Sequence, residues 1–393
     1  MRVSLCSMFA LCMIGGAAYA APHYQDELIF PIQGKHVHGS SIVQLPNGDF
    51  LACWFYGSGE RSANDVQIQG ARLKKGAKQW GAVFTMADTP GLPDCNPVVF
   101  IDSKKRLWLF WLVVRANRWE HGILKYRRAD DYQGSGVPNW NWQEIIVPML
   151  GDELPEQLEK GFKDLGYDQP MWAEYAPQYT KMIVEAAKDK AKRQEGWMTR
   201  IHPLALASGR ILLPLYSDGF NVSLVCYSDD LGDSWNASAP IIGLGPIQPT
   251  LVQKKDGTVV AYMRDSGVDP SRVMSGTSTD EGKTWSLALD TGIPNPGSSL
   301  ETIALKDGRW VMIFNDTEQG RHSLALALSV DEGQSWAKIR HLELAPMGQG
   351  GFAYPSLMQS KDGKIHATYS YSGTGGKSIK HVALDTQWIE AGD

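Results

Sequence analysis

The chain has 393 residues, 43% of them hydrophobic and 21% charged, a composition of a folded protein rather than a disordered one. Its formal net charge is -5, from 38 basic and 43 acidic residues, which argues against a nucleic-acid-binding protein because such proteins carry a basic surplus. The same balance argues against a polybasic membrane anchor. The 40 glycines and 21 prolines predict many turns, as in an all-β chain.

Residues 1–20 have the features of a cleaved secretory signal peptide. One early arginine precedes an apolar stretch at residues 3–14, and small residues follow up to an A-x-A-like cleavage site at residues 18–20. The apolar stretch is too short to span the ~30 Å hydrocarbon core of a membrane. We therefore expect a periplasmic or secreted protein that has no membrane anchor after cleavage.

Three cysteines follow the predicted signal peptide, namely Cys53, Cys95 and Cys226. An odd number permits one disulfide at most, and these cysteines lie in apolar runs or near proline, so we expect buried free thiols. The sequence contains no C-x-x-C pair and no H-E-x-x-H run, which are common zinc-binding patterns. It therefore predicts neither a metal site nor a cofactor.

Three octets share the pattern S-x-D-x-G-x-[ST]-W and recur at spacings of 50 and 51 residues, beginning at Ser228, Ser278 and Ser329. Five specified positions that repeat at a constant period indicate a repeat architecture. The aspartate can accept hydrogen bonds from backbone amides within a turn, and the glycine can take the left-handed conformation. We interpret each octet, an Asp box, as a structural hairpin turn whose tryptophan packs on its sheet.

A longer repeat consists of an apolar strand, a tight turn and a second β-rich strand. It occurs six times, with turns at residues 46–48, 102–104, 207–209, 255–257, 306–308 and 361–363. The steps are about 50 residues, except for one of about 104, where residues 150–197 form a helix-like insertion. The pattern predicts an all-β, six-bladed β-propeller over residues 21–393, with a β-sandwich or seven blades as alternatives. The insertion could cover the central funnel as a lid or pack on the edge of a blade.

The first strand of each predicted blade lines the central channel, and each begins with a polar residue. These residues are His38, Asn96, His202, Gln248, Ser298 and Tyr354. The second strands run back to the same end, where Glu60, Arg115, Asp218, Arg264 and Arg321 follow. A ring of titratable side chains at one end of a propeller predicts a binding or catalytic site in the funnel.

The Asp boxes and the six-fold repeat resemble the sialidase (BNR-repeat) superfamily. The resemblance implies a tyrosine nucleophile at Tyr354, in AYPSL, and carboxylate-binding arginines at Arg264 and Arg321. It also implies an acid/base carboxylate in the first-blade loop GSGERSANDV, which offers Glu60 or Asp65.

Three positions depart from the family pattern, and the first is the first-blade loop, which offers Glu60 or Asp65 instead of a clearly placed aspartate. His38 stands where the family has its first arginine, and Gln248 stands where it has the glutamate that activates the tyrosine. A carboxylate can accept the phenolic proton, whereas the amide of Gln248 cannot. A neutral imidazole at His38 or His202 is a competent general base near pH 7.

Three functional hypotheses follow. The first is a sialidase-like glycoside hydrolase on an acidic or related sugar, with Tyr354 as nucleophile, and with Asn96, Arg115 and Gln248 contacting the glycan beside the arginines. The second is a lyase on uronic-acid glycans that uses His38 or His202 with Tyr354. The third is a glycan-binding propeller without catalysis. All three predict a glycan partner, and none needs a metal.

Overall fold

The computed structural model describes residues 21–166, 172–176, 180–267 and 269–393. The predicted signal peptide, residues 1–20, lies outside these ranges. Among the described helices, none combines the length and the apolar character that crossing a membrane requires.

Six four-stranded antiparallel sheets form the six blades of a β-propeller, as the repeat predicts. Blade 1 contains β2 (His36–Gln44), β3 (Phe50–Gly57), β4 (Gln67–Leu73) and β5 (Phe84–Ala87). Blade 2 contains β6 (Asp94–Ile101), β7 (Leu107–Val114), β8 (Gly122–Ala129) and β9 (Trp142–Ile146). Blade 3 contains β10 (Leu204–Ala205), β11 (Ile211–Ser217), β12 (Val222–Ser228) and β13 (Asn236–Ala237).

The remaining blades follow in chain order. Blade 4 contains β14 (Pro246–Gln253), β15 (Val259–Asp265), β16 (Arg272–Ser278) and β17 (Leu289–Pro294). Blade 5 contains β18 (Glu301–Ala304), β19 (Trp310–Phe314), β20 (Ser323–Ser329) and β21 (Lys338–Leu344). Blade 6 contains β22 (Gly351–Gln359), β23 (Ile365–Gly373), β24 (Gly376–Leu384) and the N-terminal strand β1 (Tyr24–Leu28).

The ring closes through strand β1, which pairs antiparallel with β24 from Tyr24 opposite Leu384 to Leu28 opposite Lys380. The last blade thus combines the start and the end of the described chain. The pairing gives blade 6 its fourth, outermost strand and holds the two distant segments in one sheet.

The Asp boxes connect the third and fourth strands of blades 3, 4 and 5. In blade 5, Asp331 accepts hydrogen bonds from the Ser335 amide and hydroxyl and from the Ser329 hydroxyl. These bonds, those from Ser335 first, lower the pKa of Asp331 to about 2. A Cβ atom on Gly333 would lie 2.3 Å from the Tyr262 hydroxyl of blade 4, so the turn packs tightly against the preceding blade.

The insertion forms three short helices, α1 (Leu154–Asp164), α2 (Thr180–Ala186) and α3 (Lys190–Gln194), and α4 (Thr386–Ala391) follows the last blade. Leu154, Leu158 and Phe162 form a buried stripe at intervals of four residues along α1. They belong to the same apolar cluster as Leu213 and Phe220 of blade 3. The helices therefore pack on a blade, the second of the two alternatives raised by the sequence.

Candidate active site

Four inner strands share one distortion that turns a side chain into the central channel. The pairing register shifts at the same place in β2, β6, β14 and β22. The left-handed residue of each bulge is Gly39, Asn96, Gln248 or Tyr354, with φ angles of 63°, 51°, 57° and 54°. Bulges re-aim side chains, and bulky residues in this conformation are uncommon, so their recurrence marks a constructed site.

The bulges bring amide, phenol and guanidinium groups into hydrogen-bonding contact. Gln248 Nε2 donates to Tyr354 Oη at 3.2 Å and to Tyr216 Oη at 3.1 Å. Asn96 Nδ2 donates to Tyr216 Oη at 3.1 Å, and Arg264 Nη1 donates to Tyr354 Oη at 2.9 Å. We call these five residues the tyrosine cluster. Four of its members were predicted from the sequence.

Tyr216 is the member that the sequence did not single out. It lies near the end of β11 and two residues before Asp218, which the repeat does place at the funnel. Burial, followed by the charge of Asp218, raises the pKa of Tyr216 well above its usual range. Its phenol therefore stays protonated and can hold the amides of Asn96 and Gln248 in place.

Two arginines lie against the ring of Tyr354. The Arg321 guanidinium carbon is 5.2 Å from the ring centroid, and its Nη2 donates to the Gly297 carbonyl at 3.1 Å. The Arg200 guanidinium carbon is 5.0 Å from the same centroid, and Arg200 is buried. Arg321 was predicted, whereas Arg200 was not, although it lies two residues before the predicted His202.

His38 contacts Tyr354 directly, with ring centroids 4.1 Å apart. Burial first, and then the charges of Arg321 and His36, lower the pKa of His38 well below its usual range, so its imidazole is neutral. The bulge position itself is Gly39, where a Cβ atom would lie 2.8 Å from the Phe55 ring. In blade 1, the side chain beside Tyr354 is therefore that of His38, the residue before the bulge, because the bulge residue Gly39 has none.

His202 has other partners. Its Nε2 lies 3.1 Å from Ser41 Oγ and its Nδ1 lies 2.6 Å from Glu301 Oε1, while Glu301 Oε2 accepts the Leu357 amide at 2.6 Å. Ser41 is only 2% exposed and its oxygen also accepts the Val99 amide, so this serine–histidine–carboxylate chain ties inner strands together.

A separate cavity of about 640 Å³ opens beside the hydrogen-bonded residues Ser41, His202 and Glu301. His202 and Glu301 line it together with Gln253, Lys306 and Gln359. The structure thus places His202 away from the ring of Tyr354, with both of its imidazole nitrogens already engaged.

The first-blade loop presents its two carboxylates differently. Asp65 accepts the Ser58 amide and hydroxyl and pairs with Lys35 at 3.2 Å, and the bonds from Ser58 lower its pKa to about 2. Burial raises the pKa of Glu60, against the opposing charges of Arg61 and Arg321. Glu60 therefore lies within electrostatic range of the site arginines, and its carboxyl keeps its proton to higher pH than an exposed glutamate, as suits a general acid.

Asp218 is a second carboxylate of the funnel and was not among the predicted catalytic residues. Burial raises its pKa to about 6, with Arg264 opposing and Glu174 reinforcing the shift. The Glu174 amide donates to the Asp218 carbonyl, and the Tyr175 amide donates to the Gly219 carbonyl, both at 3.0 Å. Residues 172–176 of the insertion therefore form part of the funnel rim beside Asp218.

Arg115 contacts other groups than the tyrosine cluster. It forms an ion pair with Glu195, just after α3, and its Nε donates to the His121 carbonyl at 3.3 Å. The structure does not bring Arg115 to Tyr354. Within the described ranges, no three His, Cys, Asp or Glu side chains are grouped to hold a metal ion.

Sequence comparison identifies relatives of the chain. Residues 48–157 and 196–367 match the family model of the BNR repeat-like domain. A sialidase from Micromonospora viridifaciens is 27% identical over 173 residues, which make up 42% of this chain and 25% of that protein. An anhydrosialidase from Macrobdella decora is 26% identical over 192 residues, covering 44% of this chain and 25% of that protein. The chain thus matches about a quarter of the length of each relative.

Solved structures share the fold at low sequence identity. The sialidase NanB from Streptococcus pneumoniae aligns over 92% of this chain and 71% of its own, with a TM-score of 0.67 and 13% identity. A leech intramolecular trans-sialidase aligns over 93% of this chain and 71% of its own, with a TM-score of 0.67 and 14% identity. A Dyadobacter fermentans protein of unknown function aligns over 92% and 99%, with a TM-score of 0.66 and 16% identity. The chain belongs to the BNR repeat-like family, as a sialidase-like six-bladed propeller.

Proposed function

We propose that the chain is an exported glycoside hydrolase that cleaves a glycan at an acidic sugar. The observation that carries this proposal is the position of two arginines at one tyrosine. Arg264 Nη1 is 2.9 Å from Tyr354 Oη, and the Arg321 guanidinium lies 5.2 Å from the centroid of the same ring. A sugar carboxylate between these cations would fix the sugar over the phenol.

The arginines supply substrate affinity. Charge-assisted hydrogen bonds from guanidinium to carboxylate are the strong ones, each worth roughly 1.5–3 kcal/mol. The neutral imidazole of His38, against the Tyr354 ring, adds a polar group without a further positive charge. An acidic sugar is thus the substrate class that fits the site.

The acid for the departing oxygen would be Glu60. Its raised pKa keeps a larger share of the carboxyl protonated at a given pH, and protonation of the leaving oxygen is the task of the acid in glycoside hydrolysis. Tyr354 Oη would attack the anomeric carbon or stabilise the positive charge that develops there. The carbon–oxygen bond to the leaving group breaks as the proton from Glu60 passes to that oxygen, and an attacking Tyr354 releases its own proton to solvent. Water then adds to the anomeric carbon, any bond from that carbon to Tyr354 Oη breaks, and the Glu60 carboxylate takes a proton from the water.

The contact between His38 and Tyr354 favours a lyase as a second candidate. The imidazole is unprotonated and can accept the proton next to a uronate carboxylate, but burial and the neighbouring cations that lower its pKa make it a weak base. The bond between C4 and its oxygen would then break, leaving a C4–C5 double bond, while the phenol protonates the departing oxygen. This reaction needs no water and no oxidant.

The test is to incubate purified chain with sialosides and with uronate-containing oligosaccharides. New reducing ends without ultraviolet absorbance from a conjugated double bond would support hydrolysis, whereas absorbance would support the lyase. Binding without either signal would contradict both and leave a glycan-binding propeller. Arg321→Lys should raise KM for the active substrate, with Arg340→Lys, at an arginine stacked on Trp388, as the matched control.

A further inference from the structure

We propose that Arg200 is a positioning residue that stabilises negative charge on the oxygen of Tyr354. In this role it compensates for the uncharged side chain at Gln248, which cannot accept the phenolic proton. Tyr354 would then become reactive because cations and amide donors surround it, rather than because a neighbouring carboxylate deprotonates it.

The placement of Arg200 is the first argument. It lies 2% exposed in the channel, and its guanidinium carbon is 5.0 Å from the Tyr354 ring centroid. Its Nη1 donates to the Ser40 carbonyl at 3.2 Å and its Nη2 donates to the Pro355 carbonyl at 3.0 Å. One guanidinium therefore joins β2 to β22 at the residue that follows Tyr354.

The charge of Arg200 is the second argument. Among the described residues, no carboxylate lies within ion-pair distance of its guanidinium, and its Nε has no hydrogen-bond partner. Burial lowers the pKa of Arg200, against the opposing influence of Tyr354 and then Glu301, yet an arginine remains charged at neutral pH. Burying a guanidinium without a carboxylate beside it costs free energy. Negative charge on a neighbouring group such as the Tyr354 oxygen would therefore be strongly favoured.

The hydrogen bonds at Tyr354 Oη are the third argument. Both described partners donate to this oxygen, Arg264 Nη1 at 2.9 Å and Gln248 Nε2 at 3.2 Å. The orientation of the Gln248 amide agrees with this, because its oxygen faces Arg264 Nη1 at 3.5 Å. Donors to an oxygen favour its anionic form. Tyr354 Oη is thus surrounded by donors, and neither of these two partners can take its proton.

This inference deepens the proposed function, because it assigns the activation of its reactive group. It applies to the hydrolase, in which Tyr354 reacts as a phenolate, and not to the lyase, in which Tyr354 must carry the proton that it gives to the departing oxygen. Its test needs no substrate, so it can fail while the proposed function stands, and the reverse also holds.

The experiment is an ultraviolet titration of tyrosine ionisation. The spectrum of each protein minus that of its own Tyr354→Phe version isolates the phenolate absorbance of this one residue. Arg200→Gln keeps a hydrogen-bond donor but removes the charge, so the absorbance change should move to higher pH by about one to two units. Arg200→Lys keeps the charge and should move it less. The matched control is Arg210→Gln, which removes a buried arginine 4.8 Å from the Tyr227 ring and should leave the Tyr354 signal unmoved.

A second variant should move the Tyr354 absorbance change in the opposite direction, and it leaves Arg200 in place. Glu301→Gln removes the buried negative charge that acts on Arg200 and preserves the shape of the side chain. The Tyr354 signal should then move to lower pH. Equal shifts of the Tyr354 signal in Arg200→Gln and Arg200→Lys would overturn the proposal. An unmoved signal in folded Glu301→Gln would overturn it as well. In either case Arg200 would only join the two strands.

Discussion

Arg264 and Tyr354 come from blades 4 and 6, yet the guanidinium of the first donates a 2.9 Å hydrogen bond to the phenolic oxygen of the second. The contact crosses the central channel and depends on the bulge at Tyr354, whose φ is 54°. Arg264 is therefore both a neighbour of the reactive oxygen and a candidate ligand for a substrate carboxylate. Binding of an acidic sugar and activation of Tyr354 should be coupled through this one side chain.

Replacing Tyr354 with phenylalanine should remove turnover but keep glycan binding. The substitution deletes one oxygen and leaves the ring that packs against His38 and the two arginines. We expect kcat/KM to fall on the order of 10³-fold, because the group that reacts is lost. Steady-state kinetics and calorimetric binding of the same glycan would measure the two effects separately.

The matched control for this variant is Tyr227→Phe, at a tyrosine of blade 3 that lies under Arg210. It should retain native kinetics. Full turnover in folded Tyr354→Phe would show that the phenol has no chemical role and would leave the arginines as a binding site alone.

Glu60→Gln should slow the release of poor leaving groups most. Without an acid, an alkoxide must depart unprotonated, so turnover of natural glycans should fall by about 10²- to 10⁴-fold, and turnover of nitrophenyl glycosides should fall less. In the native chain, activity should decline as pH rises through the raised pKa of Glu60, and the variant should lack this decline. Asp65→Asn should change little, because a carboxyl with a pKa of about 2 has no proton to give. Equal losses in both variants would contradict the assignment of the acid to Glu60.

The repeat made part of this site predictable. A polar residue followed by proline opens the inner strands at Asn96, Gln248 and Tyr354, and these three share the same left-handed bulge. Their convergence follows from the symmetry of the blades, because equivalent positions of a propeller face one channel. The same symmetry placed Arg264 at the end of a second strand.

Blade 3 is where this reasoning was insufficient. His202 also precedes a proline, but its inner strand β10 has only two residues and His202 lacks the left-handed conformation. Its ring therefore contacts Ser41 and Glu301 instead of Tyr354. The insertion before this blade breaks the repeat, so Arg200 had no counterpart in other blades that would reveal its role. Tyr216 did have one, because it is the sixth residue of a seven-residue second strand, as Arg264 is in blade 4.

Asp218 should make stability depend on pH between about pH 4 and 6. Burial raises its pKa in the folded state to about 6 from 3.8, so folding favours the protonated form. The stabilisation that Asp218 contributes is fully present below its pKa in the unfolded state. It is lost as the pH rises through its pKa in the folded state. Asp218→Asn should therefore gain melting temperature relative to the native chain as pH rises through this window.

The comparison for Asp218 is Asp229→Asn, because hydrogen bonds from Arg210 lower the pKa of Asp229. The stabilisation that Asp229 contributes is present above its pKa in the unfolded state and is lost as the pH falls. Asp229→Asn should therefore have a lower melting temperature than the native chain at neutral pH. Thermal unfolding of the three proteins across pH would check both signs. Parallel curves for Asp218→Asn and the native chain would mean that Asp218 stays ionised in the funnel.

The Asp-box turn of blade 5 should tolerate no side chain at Gly333. Its φ is 82°, and a Cβ atom would lie 2.3 Å from the Tyr262 hydroxyl and 2.8 Å from the Trp310 ring. Gly257 has a φ of 92° and no atom within 4 Å of such a Cβ, so Gly257→Ala carries the backbone strain without the clash. We expect Gly257→Ala to cost about 1–2 kcal/mol and Gly333→Ala about 2–5 kcal/mol in the free energy of unfolding, measured by denaturant titration. Equal losses would mean that the turn moves away from blade 4 at little cost, and that the Asp box serves its own hairpin rather than the contact between blades.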